Sequence, residues 1–174
     1  MNSATTKVSL VLLIGSLGTG VHAFQSNAPS NGKPAEAART RRDLTFESVS
    51  MGEIIDTEAT DAGFESFEAG KAKLAFTAFK ASDGEVLTVQ HGRFGTPDEA
   101  SRYFHWVIQK RATGILNQGS KLDKNGRVIG VRAEVVVKLP GASSAILWTN
   151  NQHFFVVFSP SQSDAVELEK RYER

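Results

Sequence analysis

An α+β domain with a five- to six-stranded, mainly antiparallel sheet is the fold class this sequence predicts. Three observations carry the prediction. The stretch Thr96–Leu116 repeats its apolar residues at helical spacing. Alternating, β-rich segments joined by short turns lie on both sides of it. The strand–helix–strand alternation of a parallel sheet is absent. One long helix over 97–116 and a C-terminal helix therefore pack on the sheet, in the order β-β-β-α-β-β-β-α. A three-layer α/β/α sandwich is the alternative, with the terminal helix covering the second face.

The chain has 174 residues, room for a single domain with tails. Residues 1–23 carry one cation, Lys7, then the apolar run Val8–Leu17, then the small-residue ending Val21-His22-Ala23. That three-region layout predicts a cleaved secretory signal peptide, and hence an exported protein, periplasmic or secreted. Gly15, Ser16, Gly18, Thr19 and Gly20 interrupt the run too early for a membrane span, so no stable membrane insertion is expected after cleavage. Residues 24–42 are rich in Ser, Asn, Pro, Ala and Gly, end in Arg39, Arg41 and Arg42, and read as a flexible tether. The globular domain then spans 43–174.

Leu44–Ser50 alternates briefly and predicts the first strand. Residues 51–70 follow with six carboxylates and no cation, and read as a functional loop or a short unrecognised element. Leu74–Lys80 and Val86–Phe94 flank Asp83-Gly84, a hairpin signal. Thr96, Pro97 and Glu99 form the N-terminal signature of the long helix: a side-chain acceptor, a residue without the donor the first turn cannot use, and a reciprocal carboxylate. Glycine at 119 suits its C-terminal stop. Val128–Leu139 presents Ile129, Val131, Ala133, Val135, Val137 and Leu139 on one face and mostly polar residues on the other. Pro140-Gly141 turns into Ser144–Thr149, and Asn150-Asn151-Gln152 into His153–Ser159, apolar on both faces and therefore central. Ser161 or Ser163 caps a last helix with Ala165, Leu168 and Tyr172 on one face.

Composition excludes several functions. Cleavage would take Lys7 from the 20 basic residues and nothing from the 19 acidic ones, leaving the two signs equal. A neutral domain lacks the basic footprint that nucleic acid demands, so no nucleic-acid partner is expected. The chain has no cysteine, which excludes disulfides, thiolate metal sites and a cysteine nucleophile. Neither a G-x-S-x-G elbow nor a phosphate-cradling glycine motif occurs, and no cofactor is expected.

What remains predicts a non-enzymatic exported domain that binds a protein partner or a small apolar ligand. Its candidate contact residues are Trp106 and Arg102 on the polar side of the helix, Phe64 and Phe67 in the acidic loop, and His91 and His153, which residue type alone would combine across strands. An exposed tryptophan is a favoured anchor, and on that reading Trp106→Ala leaves the fold nearly intact. The rival is a small hydrolase or isomerase with His91 or His153 as base in a helix–sheet cleft; a strongly perturbed histidine lining a cavity would favour it. A structural envelope or assembly component is the third reading. No metal site is expected. Asp56, Glu58 and Asp61 offer oxygens at close spacing but lack the glycine and terminal glutamate of a calcium loop.

Overall fold

The computed structural model describes residues 45–172. The expected signal peptide and tether, residues 1–42, lie outside them. Seven strands form one antiparallel sheet: β1 (Phe46–Ile55), β2 (Lys73–Ala81), β3 (Val86–Arg93), β4 (Ala112–Leu122), β5 (Val128–Leu139), β6 (Ala142–Asn150) and β7 (His153–Ser159). Their spatial order is β1-β2-β3-β7-β6-β5-β4. Among the described residues three helices accompany them: the single turn α1 (Thr57–Asp61), the long α2 (Pro97–Arg111) and the C-terminal α3 (Gln162–Tyr172). The α+β class and the antiparallel sheet are as expected, and β7 is the central strand.

Two expectations need correction. The helix stops at Arg111 rather than Leu116, and residues 112–122 form β4, the seventh strand. Ala112 is already extended at φ −82°, ψ 137°. Thr113 and Gly114 are weak helix formers, and continuing the helix would leave β5 without a partner on its outer side. The tertiary gain of the β4–β5 ladder, from Ala112↔Val137 to Leu122↔Val128, outweighs one more helical turn. Residues 51–70 hold a short element, as one of their two readings expected, and the first strand runs further than Ser50. Their first part extends β1 to Ile55, and Asp56 then caps α1 by accepting from the Ala59 amide at 3.0 Å.

The start of α2 matches its signature. Thr96 accepts from the Glu99 amide at 3.2 Å, and the Glu99 carboxylate accepts from the Thr96 amide at 3.1 Å.

Each face of the sheet is buried by a different helix, the three-layer arrangement. Tyr103, Phe104 and Val107 of α2 pack on Val135, Leu147, Phe154 and Val156. Ala165 and Leu168 of α3 pack on Leu87, Val89, Ile146, Trp148 and Val157. Strands β6 and β7 therefore contribute alternate residues to both cores, which is why they carry continuous apolar runs. A polar clamp also holds α3. Arg132 donates to both carboxylate oxygens of buried Glu169 at 2.7 Å, and to Glu134 at 2.7 Å.

Candidate binding site on the α3 face of the sheet

The antiparallel register aligns one row of residues across all seven strands. From edge to edge it reads Glu53, Ala75, His91, Phe155, Trp148, Arg132, Gly119. Such cross-strand neighbours stand side by side on one face. Here that face is the one α3 covers, because His91 shares its parity with Leu87 and Val89. The middle of the row is a stack of flat rings. His91 lies 4.4 Å from Phe155 with planes 11° apart, and Phe155 lies 5.1 Å from Trp148 with planes 9° apart.

α3 ends at Tyr172, whose ring meets Phe155 edge-on at 6.1 Å and Phe79 at 6.4 Å. Two hollows open beside the ring stack. The larger, about 330 Å³, has Trp148 and Phe155 as floor and Tyr172, Leu122 and Lys121 as walls. Lys121 sits 5.5 Å over the Trp148 ring and 3.5 Å from Glu169. The smaller, about 210 Å³, lies on the other flank among His91, Arg93, Phe67, Lys73 and Glu53. Its walls are polar: Lys73 pairs with Glu53 at 2.7 Å, and Arg93 stacks on Phe67 at 4.2 Å.

His91 and His153 meet directly, Nε2 to Nδ1 at 2.8 Å, with ring planes 20° apart. One imidazole donates and the other accepts, so the neutral pair satisfies itself. Burial, then the neighbouring His153, lowers the His91 pKa to about 4. His153 is also lowered, first by burial and then by the Arg93 guanidinium. Both rings are therefore uncharged near neutral pH.

The candidate residues read from sequence separate into three places. His91 and His153 come together on the row, and Phe67 stands on the rim of the smaller hollow, 46% exposed. Phe64, Trp106 and Arg102 belong to the opposite, α2 side. Phe64 is buried against Tyr103 at 5.4 Å, and half-buried Trp106 packs on Phe64 and Tyr103, each at 5.8 Å. Arg102 lies 5.5 Å over the Phe64 ring. His105 is exposed on α2, apart from the pair.

The candidate oxygen ligands do not converge. Asp56 caps α1 and accepts from the Tyr103 hydroxyl, Glu58 pairs with Arg111 at 3.6 Å, and Asp61 is exposed. Among the described residues the carboxylates that do converge are Asp83, Glu85 and Asp164, with oxygens within 4.8 Å of one another. The hairpin turn and the start of α3 bring them together.

Sequence reasoning missed Phe155, Trp148, Tyr172 and Lys121 as site residues. Trp148 and Phe155 carry only apolar strand character and Tyr172 a place on the apolar face of the last helix, which core packing explains equally well, and Lys121 carries no signal at all. The chain matches no protein-family model, no curated protein and no solved structure.

Proposed function

We propose that this chain is an exported, non-enzymatic binding module. It receives a small apolar ring, from a free ligand or from a partner's side chain, at the end of the His91–Phe155–Trp148 stack. The single observation that carries the reading is the larger hollow, about 330 Å³, floored by Trp148 and Phe155 beside Tyr172. A concavity lined in equal measure by apolar rings and polar groups, with Lys121 at its rim, suits a ring bearing an acceptor or a negative group. The neutral histidine pair extends the same flat surface without the desolvation cost of a charge.

Indole and phenylacetate are suitable probes, followed by NMR of the labelled chain. The expected result is saturable shifts confined to Phe155, Trp148, Tyr172, Lys121 and His91. Phe155→Ala should abolish them while the helix and sheet spectra persist. Shifts centred on Trp106, or none at all, would overturn the reading. Native mass spectrometry of the purified chain adds the natural ligand, if one is retained, as a mass increment.

One observation favours the enzyme reading: His91 is strongly perturbed and lines the smaller hollow. Its direction argues the other way. A base lowered to about 4 is far from the pH at which general-base catalysis is most effective. Ser66, the hydroxyl in that hollow, is engaged with the Lys71 carbonyl at 2.9 Å and the Lys73 amide at 3.3 Å. We therefore place binding ahead of catalysis.

A further inference from the structure

Two imidazole nitrogens aimed at one another are a donor pair for a metal ion as well as a hydrogen bond. The ring centroids of His91 and His153 lie 5.1 Å apart, and Nε2 of the first lies 2.8 Å from Nδ1 of the second. The difference is no more than the two ring radii, so the rings stand end to end, nearly in one plane, with their nitrogens head-on. Strand register produces this arrangement. His153 is the cross-strand partner of Arg93, the second residue on from His91 in β3, so both histidines project from one face. Phe155 fixes the plane of His91 by stacking on it at 4.4 Å. His153 holds the first position of β7, beside the 150–152 turn, and is only half-buried. The smaller hollow, which His91 lines, opens the pair to solvent. Among the described residues no third histidine or carboxylate converges on the pair; the group of three that does form is Asp83, Glu85 and Asp164.

We infer that the pair is a copper(I) site, the ion held in linear two-coordination between His91 Nε2 and His153 Nδ1. The donor set selects the ion. Zinc takes four ligands and calcium six or more, and their donors must converge at an angle rather than head-on. Copper(I) is satisfied by two donors in a line, and imidazole suits copper. Its single charge also limits repulsion from Arg93, whose guanidinium is held by the Gln152 side-chain oxygen at 2.8 and 2.9 Å and by the Phe67 ring. With metal–nitrogen bonds of about 2 Å, the two nitrogens must part by about 1 Å, and the half-buried His153 ring is the one placed to yield. The bridging proton passes to the outer nitrogen of its own ring. Each imidazole then keeps one N–H and offers one lone pair, so the ion enters with no net release of protons.

Copper(I) itself is the probe, titrated without oxygen into the full chain against a chromophoric copper(I) chelator. A single equivalent should bind. X-ray absorption of that complex should show a linear shell of two nitrogens and no sulfur. His91→Phe and His153→Phe should each weaken binding by about a hundredfold or more, since losing a ligand costs at least as much as disturbing an outer-shell partner. His105→Ala, on the exposed side of α2, should leave affinity unchanged. No binding overturns the inference, as does affinity that survives either variant of the pair. Sulfur in the shell, from Met1 or Met51, overturns it, and so do three or more donors or zinc(II) displacing copper(I). The absorption spectrum of the parent chain decides the matter even where a variant fails to fold.

Discussion

The Tyr103 hydroxyl donates to the Asp56 carboxylate at 3.1 Å, tying the middle of α2 to the cap of α1 forty-seven residues earlier. Asp56 thereby serves two elements with its two oxygens, one accepting from the Ala59 amide and the other from Tyr103. Tyr103 is itself 1% exposed, and burial followed by the nearby carboxylate pushes its pKa up. The acidic segment is thus fastened to the core by the carboxylate that sequence alone offered as a metal ligand. Tyr103→Phe removes the bond but keeps the ring. The expected cost is about 1–2 kcal/mol in chemical denaturation, with amide exchange accelerating in α1 before α2.

A larger loss is expected at the clamp beneath α3. Glu169 is 4% exposed and takes two hydrogen bonds from Arg132, whose pKa these bonds raise further. Glu169→Gln removes the buried one of the two carboxylates that pair with the half-buried guanidinium and leaves only Glu134. The expected destabilisation is roughly 2–4 kcal/mol, with α3 amides losing protection first. A loss under about 0.5 kcal/mol would mean that apolar packing by Leu168 and Ala165 holds the helix unaided.

Acid should weaken the protein through the histidine pair. Both imidazoles titrate below the ordinary 6.5 when folded, His91 near 4. The unfolded chain therefore takes up protons first as the pH falls. The stability tied to neutral rings is complete above about pH 6.5 and is lost as the pH drops toward about 4. Thermal melts between neutral and mildly acidic pH should show a steeper fall for the parent chain than for His91→Phe. In NMR titration, a His91 midpoint near 6.5 would contradict the argument.

Trp106→Ala separates an anchor from a packing residue. Half-buried against Phe64 and Tyr103, the indole covers part of the α2 core. A cost of about 1–3 kcal/mol is expected, where the anchor reading drawn from sequence expected almost none. Equilibrium unfolding in urea decides between them.

Gly130 supplies a backbone test. A Cβ there would lie 2.2 Å from the Thr149 carbonyl oxygen, on the neighbouring strand. The Thr149 hydroxyl accepts from the Val131 amide at 3.0 Å, so the strands cannot simply part. Gly130→Ala should cost about 1–3 kcal/mol and disturb the β5–β6 end of the larger hollow.

Local patterns in the sequence determined much of the fold. The capping box at Thr96, the turns at Asp83-Gly84 and Pro140-Gly141, and the alternation of Val128–Leu139 were legible because each is written within a dozen residues. The two-sided apolarity of His153–Ser159 placed it at the centre of the sheet. His91 and His153 were paired as a possibility on residue type alone. The end of α2 was not legible, because Ala112–Leu116 continues the helical period while the needs of β5, a strand further along the chain, draw it into β4. Nor was the site. Trp148, Phe155 and Tyr172 look like core residues in sequence, and only strand register lines up the rings. Short-range spacing sets which elements form; which residues share a face, and where that face opens, depends on contacts between segments far apart in the chain, and these leave no mark in local composition.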